Sequence, residues 1–327
     1  MTDTTTETGA DVHPSPTAPK RSFLSQLEID TRLLGMIGAF ILVCLVFNVL
    51  TDGRFLTPRN IFNLTIQTVS VAIMATGMVF VIVTRHIDLS VGAMLATCSA
   101  AMAMTQTDIL PRMLGMGLGH PMIPWIAIVV GLLFGTIIGA FQGWLIGFLT
   151  IPAFIVTLGG LLIWRNVAWY MTDGQTIGPL DETFRKFGGI NGTLGETWSW
   201  VVGLIAVVLA LWALWSSRRN KVNHGFHVKP VWAEVLVGLI IAVGILGFVA
   251  ILNAYEVPTA RLMREFKARG DVMPEGYTAS YGIPYSVLLL IALAIGMTVM
   301  AKRTRLGRYI FATGGNPDPA ELSGINT

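Results

Sequence analysis

Runs of about twenty predominantly apolar residues recur eight times along the chain, separated by short polar stretches. A helix crossing roughly 30 Å of hydrocarbon needs about 20 such residues, and in lipid every backbone N–H and C=O must find a partner within the protein. The runs are read at 33–50, 61–83, 91–104, 123–148, 154–170, 198–215, 231–252 and 283–300. Tryptophans stand near many run ends, at Trp125, Trp144, Trp164, Trp169, Trp198, Trp215 and Trp232, where amphipathic rings meet the headgroup layer. Only 13% of the residues are charged, against roughly a quarter in a soluble domain. The pattern predicts an all-α fold: a polytopic transmembrane helical bundle of about eight spans, with a broken or short third helix.

Charge orients the bundle. The stretch 216–229 and the stretch 302–308 are basic, as are Lys20, Arg21 and Arg32 ahead of the first run. Eight spans place all three clusters on one side, and the preference of Lys and Arg for the cytoplasm makes that side the cytoplasm, with a cytoplasmic N-terminus. The net charge of +3 is explained by those loops and calls for no nucleic acid. Cys44 and Cys98 both lie inside apolar runs, which leaves neither a disulfide framework nor a CxxC metal pair. Residues 1–22 are Thr- and Pro-rich without the apolar core of a signal peptide, and read as a disordered cytoplasmic tail ahead of a transmembrane domain, 23–327. His224 and His227 on the basic stretch read as solvated.

One interruption stands out. "RHIDLS", 85–90, follows an apolar run directly and precedes another. Arg or Asp at a helix centre costs about 2.5–3.5 kcal/mol on an insertion scale, while each Leu, Ile, Phe or Val returns about 0.3–0.6. Two lipid-facing charges would cancel the apolar gain of 69–83, so Arg85 and Asp88 do not face lipid at mid-depth. The next run, at 91–104, falls short of the hydrocarbon thickness, which places a break between helices in the membrane zone; such backbone survives only inside protein or along a wet cavity. Asp88 or Ser90 would then cap the following helix, and a half-helix N-terminus aimed at a cavity can form a solute site. The other reading makes Arg85 and Asp88 a structural turn at the cytoplasmic edge. His86 reads as interfacial rather than as a proton relay or metal ligand.

The fourth run carries Gly131, Gly135, Gly139, Gly143 and Gly147 in a strict four-residue register, a row that lets another helix approach closely. Gln142 beside it is either a packing hydrogen bond or a pathway group. Gln67 and Thr157 are further polar groups within runs and, with Asp88, Ser90 and Gln142, form the candidate substrate pathway. No GxxxxGK[ST] loop, HExxH or CxxC occurs, so the residues suggest no catalytic group, metal site or cofactor of the chain's own. Intramembrane carboxylates reduce to Asp88, which suggests that the energy for any transport comes from a partner. The C-terminal stretch 306–327 follows a basic loop with no span after it and reads as a short docking helix.

These residues resemble the permease subunits of bacterial ABC-type sugar importers of the ribose, xylose and arabinose group. The similarity rests on "RFLTPRNIFNL" (54–64), "GMVFVIVTRHIDLSVGAM" (77–94), "GAFQGWLIGFLTIPAFIVTLGGLLIWRN" (139–166) and "GRYIFATGGNPDPAELSGIN" (307–326). The family usually has two glycines where this chain has Arg85 and His86. That departure, with "TDGRFL" and "NAYEVPT", looks like the xylose branch. The resemblance implies a bacterial inner-membrane, multi-pass permease that passes a monosaccharide, xylose in the first place, from a periplasmic sugar-binding protein to the cytoplasm by alternating access. It also implies a second permease copy and a cytoplasmic ATPase subunit docking on Gly314, Gly315, Asn316, Ala320, Leu322 and Gly324. Pro317 and Pro319 predict a docking helix that is shorter or starts later than in relatives, and the family pattern continues with further spans beyond residue 327. Residues 260–282 look longer than the family's loop there, with Leu262, Met263 and Phe266 on one face of a short interfacial helix. The competing reading is a proton-coupled secondary carrier using Asp88; an intramembrane enzyme lacks any paired carboxylate or metal constellation.

Overall fold

The computed structural model describes residues 31–226 and 228–327. The tail read at 1–22, with Lys20, Arg21 and His227, lies outside the described residues. The described elements are α1 (Thr31–Leu50), α2 (Pro58–Val83), α3 (Val91–Met104), α4 (Leu110–Leu114), α5 (Ile123–Gly147), α6 (Ala153–Thr172), α7 (Glu182–Gly188), α8 (Gly195–Asn223), α9 (Val231–Asn253), α10 (Thr259–Arg269), α11 (Tyr285–Arg303), α12 (Arg305–Gly315) and α13 (Pro317–Leu322). Among the described residues there is no β-strand, only isolated antiparallel bridges such as Thr193 with Pro284. The fold is the expected all-α bundle.

Seven of these helices, α1, α2, α5, α6, α8, α9 and α11, are long and apolar enough to cross a membrane. The eighth apolar run is α3, which has 14 residues as a regular helix. It does not stop there: a π-turn, Thr105–Ile109, carries the helical path into α4. Pro111 lies in the first turn of α4, where its missing N–H and its ring would clash with a regular α ladder, and the widened turn sits just ahead of it. The third helix is thus short as a regular α-helix, as expected, while the helical path from Val91 to Leu114, interrupted by the π-turn, is long enough for about 30 Å of hydrocarbon. One revision concerns α8, which continues past Trp215 to Asn223 and takes in residues read as a basic loop. A helical ladder does not end where apolarity ends, and Arg218 on the extension pairs with Glu234 at 2.7 Å and donates to the Lys229 carbonyl at 3.1 Å.

Two ends of the bundle are distinct. At one, the start of α2 meets the end of α9 and the start of α11 in a buried cluster of Phe62, Val69, Val249, Leu252, Tyr281, Ile283 and Val287. Tyr255 and Tyr281 stack and Phe62 packs tilted against both, with centroids 4.8–5.2 Å apart. Leu194 N–H donates to the Ile283 carbonyl and Gly195 N–H to that of Tyr281, both at 3.0 Å, so α8 and α11 begin side by side. At the other end lie the finish of α2, the start of α3, the finish of α11 and α12. Because α8 and α11 start together and α9 returns antiparallel to α8, the basic stretches around 218–230 and 302–308 share this second end, as the charge pattern requires.

α10 differs from its expectation. Leu262 is buried, Phe266 meets Tyr277 edge-on at 5.3 Å, and Met263 is exposed. Arg261 lies over the Tyr281 ring at 5.5 Å and pairs with Glu265 at 3.0 Å. The helix therefore folds its apolar residues back onto 277–281 instead of presenting all three to a membrane surface, because aromatic partners from its own loop are within reach.

Candidate functional site

α2 ends in a left-handed cap. Arg85 N–H donates to the Ile82 carbonyl at 2.9 Å and His86 N–H to that of Val81 at 3.1 Å, the paired bonds of a Schellman motif. The residue in its left-handed position is Arg85, with φ +65°, where glycine is the usual occupant because a Cβ is disfavoured there by roughly 1–2 kcal/mol. The side chain then leaves the turn: Nε donates to the Gly314 carbonyl at 3.0 Å and Nη2 to that of Gly315 at 2.6 Å.

Past the cap, Asp88 turns the chain into α3. Its Oδ1 accepts from the Ser90 N–H at 2.7 Å and from the Ser90 hydroxyl at 2.6 Å. Asp88 thus anchors the entry, and Ser90 at the N-cap position makes no side-chain cap bond of its own. Ser90 is fully buried, and its Oγ lies 3.0 Å from Gln142 Oε1 on α5. One hydroxyl proton cannot serve both acceptors. Gln142 Nε2 is buried without a partner, and the chemically consistent arrangement turns the amide so that Nε2 donates to Ser90 Oγ while Ser90 donates to Asp88. A Cβ at Gly160 on α6 would strike the Gln142 amide and crowd Ser90, so that glycine opens the space in which the amide sits. Thr157, also on α6, holds its hydroxyl 2.8 Å from the Ala153 carbonyl and 3.2 Å from that of Ile87. Higher in the same interface Thr97 Oγ1 donates to the Trp164 carbonyl at 2.7 Å.

Asp88, Ser90, Gln142 and Thr157 are therefore brought together at one helix junction. Gln67 is not: it lies exposed on α2, about 24 Å along the helix from Val83 at 1.5 Å per residue. It sits one residue past Ile66, which lines a cavity of about 780 Å³ between α2, α3 and α11 and beneath α7, where Ser70, Arg185, Asn191 and Ser286 supply polar groups. A second cavity, of about 490 Å³, is bounded by Arg85, His86, Thr150, Pro152 and Phe154 beside the turn itself.

The glycine row divides. A Cβ at Gly131, Gly135 or Gly139 would meet Met102, Cys98 or Met94 of α3 in turn, a four-residue register matched in antiparallel sense, whereas Gly143 and Gly147 face open space. In the C-terminal segment, a Cβ at Gly314 would strike the Val83 carbonyl, and Asn316 Oδ1 caps α13 by accepting from Asp318 N–H at 3.3 Å. α13 starts at Pro317 and is six residues long. Ala320 is buried, while Leu322 is 90% exposed.

Two groups escaped the sequence reading. Asp181, buried, caps α7 by accepting from Thr183 N–H at 2.9 Å and holds Gly119 N–H at 3.1 Å, while buried Gln106 from the π-turn accepts the Asp181 N–H at 3.1 Å. An Asp followed by Glu and Thr ahead of a short amphipathic stretch is a cap signal; nothing local announces Gln106. Among the described residues no three His, Cys, Asp or Glu side chains converge on a common point, and the junction offers hydroxyl, amide and carboxylate groups suited to hydrogen bonding.

The family model described as the permease component of branched-chain amino acid transport systems matches residues 60–219 and 197–327. The chain is 32% identical to the xylose transport system permease protein XylH of Escherichia coli (strain K12), over 95% of this chain and 69% of the relative. It is likewise 32% identical to the xylose transport system permease protein XylH of Haemophilus influenzae, over 91% and 70%. The ribose import permease protein RbsC of Escherichia coli (strain K12) is 34% identical over 56% of this chain and 54% of the relative. No solved structure matches. Seven apolar spanning helices, a polar junction between α2 and α3, and a family match over most of the chain lead to one conclusion: this is a multi-pass inner-membrane protein that belongs to the family of branched-chain amino acid transport system permease components.

Proposed function

We propose that the chain is the membrane-spanning subunit of an ATP-driven importer that passes a monosaccharide, xylose in the first place, from an external sugar-binding protein to the cytoplasm by alternating access. The observation that carries this reading is the similarity to two xylose transport system permeases over more than nine-tenths of the chain. The basic end faces the cytoplasm and the N-terminus lies on that side, in keeping with the Lys and Arg rule. A second permease copy completes the pathway. Asp88, Ser90, Gln142 and Thr157 form its polar inner end, and Gln67 stands further out. The segment 314–324 receives the ATPase; exposed Leu322 on a helix with little other apolar surface supports it as the residue that enters the partner.

The test is ATP-driven uptake of labelled xylose into vesicles holding the chain with its ATPase and binding protein. Leu322→Ala lowers uptake at least tenfold, the order expected when a central apolar anchor is removed, with membrane insertion unchanged. Uptake that continues without the ATPase and collapses with an uncoupler would instead make Asp88 the centre of a proton-driven carrier, and uptake of ribose in preference to xylose would move the sugar assignment.

A further inference from the structure

A side chain held at positive φ tends to persist where something else requires it. Arg85 occupies the left-handed position that ends α2, with φ +65°, where glycine would fit without strain. The guanidinium reaches across 229 residues of sequence to the Gly314 and Gly315 carbonyls, at 3.0 and 2.6 Å. Those carbonyls belong to the last turn of α12, where unpaired acceptors and the negative end of the helix dipole favour a cation. Two bonds from one planar fork also fix orientation, which a lysine ammonium does not do. Gly314 is pressed on the Val83 carbonyl, the last residue of α2. Three residues past Arg85, Asp88 sets the start of α3 and through Ser90 reaches Gln142 of α5.

We propose that Arg85 is a positioning residue for coupling: it clasps the C-terminus of α12, holds segment 314–324 against the end of α2, and so carries displacement of that segment into the 84–90 turn and the Asp88–Ser90–Gln142 junction. The proposal rests on the reading of 314–324 as the ATPase-docking segment. Arg85 is not assigned contact with the solute or with ATP.

Arg85→Gly separates the clasp from the turn, because glycine suits φ +65° better than arginine does. In the chain alone in lipid nanodiscs, amide exchange at 314–325 accelerates roughly tenfold, the scale of one charge-assisted hydrogen bond, while amides of α5 and α6 keep their rates. Arg85→Lys retains charge but not the fork and falls between the two. In vesicles with the ATPase and binding protein, Arg85→Gly raises ATP hydrolysed per labelled xylose moved about fivefold or more, and Arg85→Lys restores part of the loss. Unchanged or uniformly faster exchange overturns the clasp, and locally faster exchange with an unchanged ratio of ATP to xylose overturns its coupling role. Wild-type uptake that ignores the ATPase overturns the importer reading instead, and the exchange result on the isolated chain tells the two failures apart.

Discussion

The two ends of the bundle are held by different physics. At the aromatic end, the rings of Phe62, Tyr255 and Tyr281 pack with centroids within 5.2 Å of each other, and main-chain bonds such as Val257 N–H to the Ala279 carbonyl at 2.7 Å and Tyr281 N–H to the Tyr255 carbonyl at 3.1 Å cross between segments. Buried aromatic packing has many small contacts, all lost together, so that end resists displacement. At the basic end the long-range ties are polar: the buried Ser90–Gln142 pair and, closer to solvent, Arg85 to the α12 carbonyls and Arg218 to Glu234. The solvent-facing ties exchange readily with water and are weak singly. A bundle packed by aromatic side chains at one end and tied by polar bonds at the other is expected to loosen first at the second end, where the 84–90 turn and the C-terminal segment meet.

The contrast can be broken in graded steps, each read as a shift in unfolding midpoint in mild detergent. Phe62→Ala carries the largest loss, about 3–5 kcal/mol, since a fully buried ring leaves a cavity among fixed neighbours. Gly282→Ala comes next, at about 2–3 kcal/mol, because φ is +71° and a Cβ would strike Ser199 Oγ and the Gly195 carbonyl. Gln142→Leu at the polar junction costs about 1 kcal/mol, the range of hydrogen bonds between membrane helices, yet lowers xylose uptake more than either stability change would suggest. Arg218→Ala shifts the midpoint least, by about 0.5 kcal/mol, and less again in high salt. Equal losses at the two ends would remove the asymmetry.

Particular elements show how far the residues could be read unaided. The runs at 61–83, 123–148 and 231–252 correspond to α2, α5 and α9 to within a few residues, because a bilayer demands length and apolarity and both are written along the chain. The end of α8 was not legible: Ser216–Asn223 is polar and still helical, since propensity and the pairing of Arg218 with Glu234 sustain the ladder. The π-turn at Thr105–Ile109 was hidden as well, although Pro111 two residues past its end gave a reason to look. The convergence of Ser90, Gln142 and Thr157 could be guessed as three polar groups in apolar runs, but not that Gly160 leaves the space for it. At Arg85 the sequence pointed the wrong way for a cap, because the usual mark of a Schellman ending is a glycine that is missing here.

From the residues alone came the number of runs and the polar character of 85–90, which depend on composition over about twenty residues or fewer, and the common side of the basic stretches and the family resemblance, which need only the order of such segments along the chain. Only the tertiary structure decided that Arg85 ends on Gly314 and Gly315, that Gln67 stands apart from the junction, and that three of the five spaced glycines meet Met94, Cys98 and Met102. The reason is range: hydropathy and charge act on each segment separately against lipid and water, whereas which polar groups meet inside the bundle is settled by helix packing between segments that the chain order does not pair.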